Sequence, residues 1–214
     1  MAVAFANIFM ADFETKLIRQ SRIKPTEWKR YTDDVFSLWN KSKQDINLFI
    51  ERANQFHPSI KFRAESSENE ITFLDTIIYK GDRFLTDSIL DIKTQYKPTE
   101  TFQYTQFTSC HPPGVKRGFI KGEATRLLRT NSSQIIFEEC LSNSKLGLKA
   151  RGYPNNFIER SLTGVHFGDR RLALQQRKKT QTKILPFVTT YHPAVRGLKE
   201  ILMNNWVLIK KNSR

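Results

Sequence analysis

The apolar pattern changes period at Pro98, and that change limits the folds open to this chain. Ahead of Pro98, stretches of helical period alternate with stretches of period two. Val3, Phe5, Ala6, Phe9, Met10, Phe13 and Leu17 recur at helical spacing, which predicts a helix over 2–19. Pro25 ends any continuation. From Trp28 to Trp39, aromatic and β-branched residues flank Asp33-Asp34, the pattern of a hairpin. Ile46, Phe49, Ile50 and Ala53 predict a second helix over 43–56. Ile60-Lys61-Phe62, Ile71 to Tyr79 and Ile89 to Tyr96 read as strands, punctuated at Ser66–Asn69 and Lys80-Gly81-Asp82. Residues 1–98 are thus expected to form a small, mostly antiparallel sheet with helices on it.

Beyond Pro98 the period is helical. Residues 99–109 are a polar and aromatic connector. Pro112-Pro113 suit a first helical turn and open a helix to about Arg129, expected to bury Val115, Phe119, Ala124, Leu127 and Leu128. Asn131-Ser132-Ser133 can cap a helix over about 134–149. Asn156, with Glu159 three residues on, can cap a short third helix. A weakly packed basic helix over 168–183, a strand over 184–191 and an amphipathic helix over 194–210 carrying Trp206 complete the chain. The fold class is α/β over 1–98, then an α-helical domain over 99–165 and a basic extension over 166–214.

Charge follows the same division. The net charge is +14. Residues 1–110 hold 15 Lys and Arg against 15 Asp and Glu, whereas residues 111–183 hold 15 against 5. Such an excess implies a polyanionic partner, and it places the attraction after residue 110. Lys116, Arg117, Lys121, Arg126, Arg129, Lys145, Lys149 and Arg151 are the expected phosphate contacts. The third helix offers only Asn155, Asn156, Glu159 and Arg160 for reading bases, so binding by shape and backbone is expected over a base code.

No run of about 18 apolar residues exists to span a bilayer. The apolar start, Met1 to Phe13, lacks the basic stretch of a secretory signal. Cys110 and Cys140 are too few and too far apart for a disulfide framework or a zinc site. The expected location is intracellular and, with the basic run Arg177-Lys178-Lys179, nuclear. His111 and His192 each precede proline and are expected in turns. Tyr104 and Phe107 could stack on bases, but packing under the first helix of the second half is the expected role.

The sharpest chemical signal is Tyr31-Thr32-Asp33-Asp34. Two carboxylates at a hairpin tip can reach a divalent ion, and Asp33 would ligate while Asp34 orients. Two-metal phosphoryl transfer needs more hard oxygen ligands than these two.

Ala4-Phe5-Ala6-Asn7-Ile8-Phe9-Met10, then Tyr31-Thr32-Asp33-Asp34, a helix, and Ile71-Thr72-Phe73-Leu74-Asp75 resemble successive palm motifs of reverse transcriptases. The run is similar to the Penelope-like retroelement family of animals, and the likeness extends through residues 107–119 and 185–193. The resemblance implies that Asp33 and Asp34 are catalytic carboxylates for Mg2+ or Mn2+. It also implies that Phe73, Leu74 and Asp75 grip a primer and that the helices after Pro112 form a thumb along an RNA–DNA or DNA duplex. The family's third catalytic aspartate and its fingers lie in motifs upstream of the residues present. Its GIY-YIG endonuclease, which would follow, is not among them. The implied function is therefore a fragment of an RNA-directed DNA polymerase that binds a duplex and does not copy it alone. Residues 112–162 also resemble a helix-turn-helix module, which implies the alternative of a non-enzymatic DNA-binding protein.

Overall fold

The computed structural model describes residues 2–175 and 197–207, together with Thr190 and His192. The chain divides into two compact units, Met1–Gln95 and Tyr96–Arg214. The first is mixed α/β and the second helical, as the change of period requires.

Unit 1 begins with α1, Ala2–Gln20. β1 (Glu27–Tyr31) and β2 (Asp34–Leu38) form an antiparallel hairpin in which Tyr31 faces Asp34. α2, Lys43–Phe56, starts at a capping box: the Ser42 hydroxyl accepts from the Asp45 N–H, and the Asp45 carboxylate accepts from the Ser42 N–H. β3 (Glu70–Phe73) and β4 (Thr76–Tyr79) form a second hairpin, which β5 (Asp91–Thr94) joins antiparallel. The strands therefore form two separate antiparallel sheets, not one. A contact between the rings of Phe36 and Phe73, 5.7 Å apart, joins them.

Phe13 and Leu17 of α1 pack on Phe49 and Ala53 of α2, with Trp28, Trp39, Phe56 and Phe62 closing the edges. Complete burial of a side chain such as Leu17 or Phe49 is worth about 1.5–3 kcal/mol. The strand expected over Ile60–Phe62 does not form. Instead the Asn54 side-chain amide takes the place of a strand: it accepts from the Phe62 N–H at 2.5 Å and donates to the Phe62 carbonyl at 3.1 Å. α3, Asp82–Asp87, is a short helix that periodicity over six residues does not announce. Gly81 precedes it because the carboxylate of buried Asp91 occupies the place a Cβ would take. Asp91 in turn accepts from the Arg83 Nε at 2.7 Å.

Unit 2 contains α4 (Pro113–Thr130), α5 (Gln134–Ala150) and α6 (Asn155–Leu162). A 3-10 turn (Phe167–Asp169), α7 (Arg170–Leu174) and α8 (Leu198–Asn204) follow. Ile120 and Ala124 of α4, Leu148 of α5, Tyr153, and Ile158 and Leu162 of α6 form one core cluster. Leu127, Leu128, Phe137 and Cys140 form another. The inward face of α4 thus runs through Ile120. Val115, expected in the core, is exposed, and Phe119 turns its ring toward Tyr104 at 5.2 Å. The expected Asn156 cap also moves. Pro154 holds the extended N-cap position and α6 starts at Asn155, which puts Asn156 inside the first turn.

The connector lies against α5 because Gly147 has no side chain; a Cβ there would stand 2.7 Å from the Cβ of Phe102. Trp206, expected in the core, is exposed, as are Ile201 and Met203. The strand expected over 184–191 lies outside the described residues apart from Thr190.

Candidate nucleic-acid interface

Two places in the molecule carry the chemistry read from the sequence: the Asp33-Asp34 hairpin of unit 1 and the basic helices of unit 2.

The first hairpin closes through Thr32-Asp33, with Thr32 at φ 56°. A positive φ at the first loop residue suits the twist of a two-residue hairpin. The Phe73-Leu74-Asp75 segment closes the second hairpin in the same way, with Leu74 at φ 56°. The Phe36–Phe73 ring contact brings the two hairpins together. Tyr31, Thr32, Asp33 and Asp34 are all exposed, so Tyr31 does not brace the tip from within. Arg30 does. Its guanidinium donates to the Thr32 carbonyl at 2.9 Å, to the Asn7 side chain at 3.1 Å and to Glu14 at 2.9 Å. The Glu14 carboxylate also accepts from the Trp28 indole at 3.0 Å. Arg30 and Glu14 keep only 12% of each side chain exposed. Nothing local in the chain signals this brace, since its side-chain partners are 14 to 23 residues apart.

Among the described residues, no group of three His, Cys, Asp or Glu comes together to hold a metal ion. Asp33 and Asp34 sit at a solvent-facing tip without a third carboxylate. As a pair they do not fit a two-magnesium centre, which requires several oxygen ligands held by the protein. A cleft of about 360 Å³ beside this hairpin has an apolar floor that includes Phe36, Trp39 and Ile78. Lysines and glutamates both line it, so it favours neither sign of ligand.

In unit 2 the eight expected phosphate contacts divide into two sets. Lys116 turns inward: its ammonium donates to the Phe107 carbonyl at 2.5 Å and the Ser109 carbonyl at 2.7 Å, and it lies 5.1 Å from the Phe107 ring. It ties the connector to α4. Arg126 pairs with Glu123 at 2.9 Å, Arg129 donates to the Ala173 carbonyl at 2.7 Å, and Lys145 pairs with Glu159 at 2.9 Å. Arg117, Lys121 and Lys149 are exposed, with no acidic partner among the described residues, and Arg151 is half-buried at the end of α5. Arg160, on the exposed face of α6, belongs with them.

Tyr104 is not presented to bases. Its hydroxyl lies 3.1 Å from the Ser144 hydroxyl and 3.4 Å from Glu123. Burial pushes its phenol up to about 12. Phe107 packs on the rings of Tyr153 and Phe157.

Residues 103–163 match a family model described as the animal helix-turn-helix domain. The match covers the last part of the connector and all of α4, α5 and α6. Neither a search of curated proteins nor one of solved structures returns a match. No helix among the described residues is long and apolar enough to cross a membrane.

Proposed function

We propose that unit 2 is a DNA-binding module that holds duplexes mainly through their phosphate backbone. One observation carries this reading: the segment that matches the animal helix-turn-helix domain is itself basic, with nine Lys and Arg against four Asp and Glu, and it lies in the basic half of the chain. Helix-turn-helix modules place a helix in the major groove of DNA and cross the backbone with another. The exposed side chains of α6 include one arginine and few amides, a poor set for base readout. The reading therefore favours affinity with little sequence preference, and a nuclear location follows from it.

The test is anisotropy of a labelled DNA duplex with the full chain. Affinity is expected to fall steeply between about 50 and about 200 mM salt and to differ little between unrelated duplexes. No binding at the lower salt would defeat the proposal. A strong preference for one sequence would replace backbone binding with base readout.

A second reading, that the chain is part of a retroelement reverse transcriptase, is favoured by the order of elements in unit 1. An apolar helix, a hairpin with Asp33-Asp34 at its tip, a helix and a second hairpin at Leu74-Asp75 occur in the succession the resemblance implies. Under this reading the chain holds a template–primer duplex, and Asp33 and Asp34 would take part in holding magnesium or manganese only alongside carboxylates from elsewhere. The chain alone is expected to show no primer extension on a poly(A) template with either metal. Incorporation that Asp33→Ala abolishes would instead make it a polymerase.

A further inference from the structure

Three of the unit 2 cations that lack acidic partners gather near one seam, while Lys149 and Arg151 lie at the end of α5. On α4, at about 100° per residue, Ile120, Ala124, Leu127 and Leu128 mark the inward face. Arg117 and Lys121, one turn apart, lie on one flank of that face. The neighbour on this flank is α6, because the Arg117 guanidinium lies 5.9 Å from the Phe157 ring. On α6, Ile158, Ser161 and Leu162 point inward. Arg160 is three residues after Phe157 and shares its side of the helix. Glu159 points to the opposite side, where both its oxygens bond the Lys145 ammonium of α5, at 2.9 and 3.2 Å. The seam between α4 and α6 is therefore bordered by Arg117, Lys121 and Arg160, all exposed. At the seam between α5 and α6, Lys145 and Glu159 cancel, and one cation, Lys149, is left exposed a turn beyond.

Resting on the DNA-binding reading, we infer that the sugar–phosphate backbone of a duplex lies along the α4–α6 seam, contacted by Arg117, Lys121 and Arg160. Arg117 and Lys121 are separated by about 6 Å along the helix axis, a spacing suited to neighbouring phosphates of one strand. Guanidinium groups are the side chains that grip phosphate in two places at once. The cation–π contact with Phe157 holds the Arg117 side chain near the seam in advance, which lowers the entropy lost on binding. The paired α5–α6 side faces away from the duplex.

The test uses the full chain and a short labelled DNA duplex, with affinity followed against salt. Lys121→Ala/Arg160→Ala leaves Arg117 and its contact with Phe157 in place and removes only exposed side chains. It is expected to make the slope of log K against log salt shallower by about 2, one unit for each phosphate no longer neutralised. Adding Arg117→Ala takes the change to about 3. The charge-matched pair Lys24→Ala/Lys41→Ala, exposed in unit 1, is expected to leave the slope unchanged. A native slope in Lys121→Ala/Arg160→Ala, while the native chain binds, overturns the seam and leaves the DNA-binding reading standing. An equal loss from the unit 1 pair, or a larger loss from Lys145→Ala/Lys149→Ala, overturns it in favour of diffuse attraction or of α5. A native chain that binds no duplex removes the reading itself, and the seam with it.

Discussion

The two units solve the problem of buried charge in opposite ways. Unit 1 carries balanced charge and commits it to structure. The Arg30–Glu14 pair is almost buried and holds a hairpin tip, and Asp91 is buried against Arg83. Unit 2 carries a large excess of one sign, and among its described residues Arg117, Lys121, Lys149 and Arg160 stand at the surface around apolar helices. Its buried polar residues Asn131, Ser144 and Ser161 are uncharged. Asn131 and Ser161 donate to carbonyls four residues back, and Ser144 bonds Tyr104. Charge buried in pairs fixes geometry at a cost in desolvation. Charge left at the surface adds little to folding and stays available to a polyanion. The contrast argues that unit 1 is built to hold a shape and unit 2 to meet a partner.

The largest effect should come from breaking the brace. Glu14→Ala leaves Arg30 and the Trp28 indole without their shared acceptor. Removing one partner of a buried pair costs about 3–5 kcal/mol; Arg30 keeps its bonds to Asn7 and Thr32, which points to about 3. Trp28 and Trp39 pack in the unit 1 core, so the tryptophan fluorescence transition should fall by more than about 10 °C. The helical signal of unit 2 should keep its own transition, and Glu14→Gln should recover part of the loss. A single shared transition that moves as a whole would break the comparison, since the two units would then unfold together.

The same contrast explains what could be read in advance. α1, α2, α4, α5 and the first hairpin were legible because their signals are local: an apolar period, and aromatic and β-branched residues on both sides of Asp33-Asp34. The run Ile71 to Tyr79, read as a strand, is instead broken into β3 and β4 by the turn at Leu74-Asp75, which only the resemblance implied. The buried face of α4 was misjudged because Val115 and Phe119 are as apolar as Ile120, and only the positions of α5 and α6 decide among them. α3 was missed because it is short and its starting glycine answers to Asp91, ten residues away. In the candidate site, residue type foretold which side chains are cationic. It could not foretell which are engaged, since Lys145 meets Glu159 across 14 residues and Arg129 meets Ala173 across 44. The sequence offers Arg160 only for base reading, since its place near Arg117 depends on how α4 and α6 pack.

The smallest effect concerns pH. Tyr96, Tyr104 and Tyr153 of unit 2 are all raised above the usual phenol value, chiefly by burial, and Tyr104 is pushed up to about 12. Tyr79 is the corresponding group in unit 1. A raised phenol keeps its proton in the folded chain after the unfolded chain has lost it near pH 10. The unfolded state then binds fewer protons, so stability falls as pH rises. For Tyr104 the contribution is intact below about pH 10 and is lost progressively from there to about pH 12. The helical transition of unit 2 should therefore drop between pH 9 and pH 11 by a few degrees, about what 1 kcal/mol produces in a domain of this size. The fluorescence transition of unit 1 should drop less. Tyr104→Phe removes an ionisable group while keeping the ring that packs on Phe102 and Phe119, so it should flatten part of the unit 2 dependence. An unchanged pH dependence in that variant would assign the alkaline loss to Tyr96 and Tyr153. A larger drop in unit 1 than in unit 2 would reverse the comparison, making the charge-paired unit the more sensitive one.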